Sequence, residues 1–173
     1  FGGLTEAPPA KPLIAAVEGY ALAGGCELAM VCDLIVAAET AKFGVPEVKR
    51  GLAAGAGGLL RFPRQLPYRV AMELALTGDF MDAARAKDLG FINQTVPEGE
   101  AFAAAQGLAV KIAGNGPLAV KLSKQVVRDS EDWSTGEMFG RQQDILQPVF
   151  TSEDAIEGAM AFAEKRAPNW KGR

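Results

Sequence analysis

Two glutamates are the residues through which this sequence could do chemistry. Glu27 lies in Gly24-Gly25-Cys26-Glu27-Leu28-Ala29-Met30, and Glu47 lies in Phe43-Gly44-Val45-Pro46-Glu47. From Cys26 through Cys32 the chain is otherwise apolar, so a helix there lacks the polar stripe of a surface helix and belongs in an interior. A carboxylate in such a place must be paired, hydrated by trapped water or protonated, because an unpaired buried charge is costly. Each position also has a plain structural reading. Glu27 could favour the positive end of a helix dipole from the first turn, and Pro46 suits the first position of a short helix that merely carries Glu47. Histidine is absent, which removes Ser-His and Cys-His nucleophile systems, histidine metal sites and the commonest general base. Acid–base work then falls to carboxylates, lysine or tyrosine.

The chain has 173 residues, 49% of them hydrophobic and 23% charged, with a net charge of −3. That is a globular composition with enough chain for a sizeable core. No basic excess points to a nucleic-acid partner, no apolar run has the length needed to span a bilayer, and Phe1-Gly2-Gly3 is not a signal peptide. A soluble cytoplasmic protein with neither nucleic-acid nor membrane partners is expected. Cys26 and Cys32 fall on one predicted helix, pointing to different faces, so they are expected to be unbridged, inert thiols.

The elements that must position the glutamates follow from the apolar runs. Leu13-Ile14-Ala15-Ala16-Val17, between Pro12 and Gly19, predicts a buried strand. A glycine-containing turn, a helix from about Gly25 to Cys32 and a second buried strand over 34–38 follow, which together make a βαβ unit with parallel strands. Ala41-Lys42-Phe43-Gly44 suggests a further short strand. Beyond Gly51 the pattern turns helical, with a Gly-rich bend at 55–58, helices over 69–76 and 82–89, and a short extended segment over 90–96. The remainder reads as all-helical, and Ser134-Thr135-Gly136-Glu137 and Thr151-Ser152-Glu153-Asp154 both fit a capping box. Two or three short strands are too few for this much apolar helix, so further strands are expected before Phe1 or from a partner subunit.

Taken in order, Lys11 through Ala29, Cys32-Asp33-Leu34-Ile35-Val36-Ala37, Phe43 to Glu47, Gly51, Gly55 to Gly58, Leu76-Thr77-Gly78, Ala84 to Gly90 and Phe162 to Arg166 resemble the enoyl-CoA hydratase/isomerase (crotonase) family. The resemblance implies an α/β fold: a crotonase-like ββα spiral core, here only its later turns, over 1–97, followed by a C-terminal helical trimerisation region over 98–173. It implies that an N-terminal third of the family fold precedes Phe1. It further implies an enoyl-CoA hydratase that adds water reversibly across the 2,3-double bond of a trans-2-enoyl-CoA. Glu27 would activate the water and Glu47 would donate a proton at Cα; two carboxylates on one water do not both ionise easily, which supplies an acid and a base. The N–H of Gly24 would be one of two oxyanion donors, the other lying before Phe1. Gly55, Phe162 and Lys165 would contact substrate. Neither metal nor separate cofactor is implied, coenzyme A being part of the substrate. The implied assembly is a homotrimer or a dimer of trimers.

Departures from the family pattern lie in Ala23, where three consecutive glycines are common, in Ala54 and in Leu59-Leu60. Ala23 is expected to be a mild change because alanine is also small. The family also holds isomerases and carnitinyl-CoA dehydratase-like members, and the ending from Ala163 to Arg173 is similar to the latter. A non-catalytic acyl-CoA-binding relative is a further alternative. Outside the resemblance, Gly55 to Gly58 lacks the lysine of a phosphate-binding loop. Lys165 and Arg166 could equally be a solvated cationic helix end, and Arg61 and Arg64 read as surface charges. Ile145, Val149, Ile156 and Met160 suit either subunit contacts or an intrachain core.

Overall fold

The computed structural model describes residues 1–173. Ile14–Val17 (β1) leads through Tyr20–Leu22 (β2) into the helix Gly24–Val31 (α1) and then to Leu34–Ala38 (β3). β1 and β3 pair in parallel, Ile14 with Leu34 through Val17 with Ala37, as two buried runs joined by a crossover require. The crossover holds a strand where the sequence suggests only a turn. β2 is only three residues long, too short to display a period, and it is defined by its parallel partner Lys42–Gly44 (β4) rather than by its own pattern.

β4 is followed by a 3-10 helix, Pro46–Arg50, and by the helices Gly58–Gln65 (α2) and Tyr68–Thr77 (α3). Met81–Asp82 (β5), Ala83–Asp88 (α4) and Gln94–Val96 (β6) complete this part of the chain. Two three-stranded sheets result, in the orders β1-β3-β6 and β2-β4-β5. Successive turns of the chain each add one strand to either sheet, which is a spiral of strand, strand and helix. Two of the six strands, β2 and β5, are too short to be read from the sequence. The largest cluster of buried apolar side chains includes Cys26, Met30, Phe43, Phe62, Leu74, Met81 and Ile92. A smaller one joins Val36 and Val96 to Ala101 and Ala105 of Ala101–Ala113 (α5). Both oxygens of Glu18 accept at the start of α5, from the N–H groups of Gly99 and Ala101 at 2.8 Å each. This capping at a distance satisfies donors a helix start leaves open.

The chain forms two compact units, Phe1–Pro9 with Leu13–Leu108, and Ala10–Pro12 with Ala109–Arg173. The second contains Pro117–Asp129 (α6), Met138–Phe150 (α7) and Glu153–Glu164 (α8). Ser152 caps α8, its hydroxyl accepting from the Ala155 N–H. The cap is thus Ser152 and not the Thr151 of the expected box, and that box's acid, Asp154, does not reach back to the cap but accepts from the N–H groups of Lys171 and Gly172. The box expected at Ser134 is not a helix cap. Its hydroxyl bonds the Glu137 carboxylate, and α7 begins only at Met138. No helix is long and apolar enough to cross a membrane.

Candidate active site

Glu27 sits in the first turn of α1 and is 3% exposed. Its burial is compensated: Oε1 accepts from the N–H groups of Ala56 and Gly58, at 2.7 and 2.8 Å. The turn between Gly51 and α2 therefore folds down on the carboxylate, and it can do so because Gly58 has no side chain. A Cβ there would lie 3.0 Å from Glu27 Cγ and 3.1 Å from Oε1. Two donors on one oxygen fix the carboxylate's orientation.

Glu47 follows Pro46 in the first turn of the 3-10 helix, which a left-handed Gly51 closes with its N–H on the Glu47 and Val48 carbonyls. Gly78, itself at φ 66°, presses on this helix so closely that a Cβ would meet Val48 Cγ2 at 3.0 Å and Lys49 Cγ at 3.1 Å. Lys49 is further tied to Asp79 at 2.6 Å. Thus held, Glu47 presents Oε2, which is buried and accepts no hydrogen bond. Buried carboxylate oxygens are nearly always partnered, so this one marks a place where a donor belongs. Burial, chiefly, pushes the neighbouring Cys26 thiol up to about 12; the Gly44 backbone counteracts this, and the charges of Glu27 and Glu47 both reinforce it. The two glutamates, 20 residues apart in sequence, thus act electrostatically on one buried atom.

Gly24 opens α1. The amides of Cys26 and Glu27 both donate to the Ala23 carbonyl, and the Gly24 amide is among those that a helix start leaves without an acceptor in the helix. Ala23 just before it has φ 52° and ψ −128°, a region natural only to glycine, and its N–H donates to the Gly44 carbonyl at 2.9 Å. The expectation of a mild alanine substitution is therefore corrected: small size is satisfied, but the backbone angle is not. Gly55 is exposed on the turn, its missing side chain facing nothing nearer than the Ala53 carbonyl at 3.9 Å.

Phe162 and Lys165 belong to the second unit. Phe162 is 87% exposed near the end of α8, and Lys165 follows as its C-cap at φ 54°. Arg166 is engaged: its guanidinium bonds Glu157 twice, at 2.6 and 2.9 Å, and Glu164 at 2.6 Å. The reading of Arg61 as a surface charge is also corrected, since its Nη2 donates to the Thr5 carbonyl at 2.6 Å. Sequence reasoning missed Ala56 and Gly58 as holders of Glu27 because a backbone amide leaves no side-chain signal; the glycine-rich run was the only trace.

Comparison with known proteins gives the family. The family profile described as Enoyl-CoA hydratase/isomerase matches residues 7–173. Enoyl-CoA hydratase EchA19 of Mycobacterium tuberculosis is 48% identical over 163 residues, covering 94% of this chain and 61% of that protein. Carnitinyl-CoA dehydratase of Salmonella typhi is 43% identical over 178 residues, covering 100% of this chain and 68% of its own length. The crystal structure of enoyl-CoA hydratase from Mycobacterium tuberculosis superposes with a TM-score of 0.98 at 61% identity, covering 99% of this chain and 68% of that one. The chain thus spans between about three-fifths and two-thirds of the length of these relatives. On the profile, the sequence identity and the shared crotonase fold together, this chain belongs to the enoyl-CoA hydratase/isomerase family.

Proposed function

We propose that the chain carries both acids of an enoyl-CoA hydratase, a lyase that adds water reversibly across the 2,3-double bond of a trans-2-enoyl-CoA. One observation carries the reading: the buried, unpartnered Oε2 of Glu47, within electrostatic reach of the same thiol as a Glu27 whose Oε1 is already taken. In this reaction Glu27 takes a proton from the water as its oxygen bonds Cβ, and Glu47 delivers a proton to Cα. Glu27 ends protonated and Glu47 ionised, so a proton passes from Glu27 back to Glu47, through solvent, before the next turnover, and reversal swaps the roles. The Gly24 N–H supports the negative charge that develops on the thioester oxygen, where a donor is worth most. Gly55 borders the acyl group, and Phe162 and Lys165 are assigned to the coenzyme A moiety bound by a neighbouring copy, for which an exposed ring and an exposed cation are suited. The chemistry needs proton transfers alone, with coenzyme A part of the substrate. A homotrimer or dimer of trimers in the cytoplasm is the proposed setting, consistent with two unbridged thiols.

A second reading, dehydration of a carnitinyl-CoA-like thioester, is favoured by the 43% identity to carnitinyl-CoA dehydratase. It uses the same pair of acids on a different acyl tail. Both are tested by the loss of enoyl-thioester absorbance with full-length protein and either crotonyl-CoA or a crotonobetainyl thioester. Glu27→Gln and Glu47→Gln should each lower the rate by roughly 10²–10⁴-fold, as removal of a general acid or base does. Unaltered turnover in both variants would refute the assigned roles.

A further inference from the structure

The two acids are held by different devices. Glu27 is fixed by the main-chain amides of Ala56 and Gly58, whereas the segment that bears Glu47 is gripped by the turn after α3, residues 77–80. A five-residue 3-10 helix has poor hydrogen-bond geometry and little stability of its own, so the aim of Glu47 depends on what presses on that helix. The turn meets the segment on both sides of Glu47. Ahead of it, a Cβ on Gly44 would lie 3.0 Å from the Asp79 carbonyl oxygen and 3.3 Å from Phe80 Cδ1. Behind it, Gly78 lies against Val48 and Lys49. Lys49 closes the grip, its ammonium donating to Asp79 Oδ1 at 2.6 Å and standing 5.8 Å from the centre of the Phe80 ring.

The turn is itself fixed at both ends. The Gly78 N–H donates to the Leu74 carbonyl at 3.0 Å, and the Thr77 hydroxyl donates to the Glu73 carbonyl at 2.7 Å while accepting from the Asp79 N–H at 3.1 Å. On its other side β5 pairs with β4, Met81 with Phe43 and Asp82 with Lys42. Leu74 and Met81 both belong to the main buried cluster, so the turn is anchored in the core before and after the grip. We propose that this turn positions Glu47 and not Glu27, with Asp79 and Lys49 as positioning residues that act through the Pro46–Arg50 helix on the place of the unpartnered Glu47 oxygen. The proposal rests on the hydratase reading for the proton that Glu47 moves.

The test uses the full-length protein and two readouts. Amide exchange needs no substrate: the N–H groups of Gly51 and Leu52 donate to the carbonyls of Val48 and Glu47 and report closure of the Glu47 helix, while those of Ala56 and Gly58 report the hold on Glu27. Asp79→Asn and Lys49→Met should each speed exchange at Gly51 and Leu52 by roughly three-fold, as loss of an exposed ion pair allows. Gly78→Ala should do so by about ten-fold, because it adds a Cβ at a left-handed φ in a crowded place. Ala56 and Gly58 should be unmoved. The second readout is deuterium uptake at Cα of butyryl-CoA, a saturated thioester to which no water adds: the Glu47 carboxylate removes a Cα proton, exchanges it with solvent and returns a deuteron. Its kcat should fall in step with the loss of protection at Gly51 and Leu52 while KM holds, and Lys49→Arg should restore part of it by keeping the pair with Asp79. A wild type that shows the amide pattern without Cα exchange sinks the hydratase reading and leaves the grip standing. Protection at Gly51 and Leu52 unmoved by Asp79→Asn and Lys49→Met, equal loosening of Ala56 and Gly58, or an uptake rate indifferent to loosening of the Glu47 helix would each overturn the positioning role.

Discussion

Ala23 stores strain where the site can use it. At φ 52° and ψ −128° its Cβ opposes a conformation that costs a non-glycine residue of order 1–3 kcal/mol, yet the bond from its N–H to Gly44 and the following helix hold it there. Ala23→Gly should relieve this. Glycine's added freedom in the unfolded chain takes back about 0.4–1 kcal/mol, leaving a gain of about 1 kcal/mol and a melting midpoint higher by roughly 2–4 °C. A midpoint that falls on substitution would show that the backbone is not strained as described. At this scale the sequence was partly legible. Glu27 announced itself by incongruity, an acid in an apolar helix, and burial with two amide donors is the outcome such a group requires. Ala56 and Gly58 were invisible because their contribution is made by main-chain N–H groups. Ala23 misled because side-chain volume can be read from a letter and a dihedral angle cannot.

Elements were legible in proportion to their length and to how locally they are specified. β1, α1 and β3 are apolar runs between glycine and proline, and each was expected close to where it lies. β2 and β5, of three and two residues, exist through pairing with distant β4, which no window of sequence contains. The tail after α8 is a similar case, and it is unusually well tied. Arg166 and the Asn169 N–H bond Glu157, Asp154 accepts from Lys171 and Gly172, and the Trp170 indole donates to the Gly114 carbonyl at 2.8 Å. The Arg166 side chain, first, and the Asn169 N–H hold the Glu157 carboxyl at about 2, below its ordinary 4.5. A depressed folded-state value means the contribution is complete above pH 4.5 and is lost as pH falls from there toward about 2. Acid titration should therefore release the tail within that window, seen as a change in Trp170 emission in a Trp133→Phe background. Glu157→Gln should remove most of the pH dependence. Emission that is flat across the window would mean that the tail is held without this carboxylate.

At the scale of the molecule the two units differ in how they use apolar residues. Every residue of both buried clusters lies within the first unit. In the second, α6 and α7 bury no residue at all, while Phe139, Phe150, Ile156 and Phe162 are exposed by 75, 74, 63 and 87%. Helices with apolar stripes owe most of their stability to burial of those stripes, and contiguous exposed apolar patches mark association sites. These exposed side chains are the surface on which the proposed oligomer would close. Sedimentation of the full-length protein should give an oligomer, with three or six copies expected from the proposed assembly. Ile156→Glu together with Phe150→Glu should shift it toward monomer by placing charges where desolvation is costly, and should lower the melting midpoint in a concentration-dependent way, because association stabilises by mass action. A wild type that sediments as a monomer at every concentration would break this argument, since the exposed stripes of α7 and α8 would then need another partner.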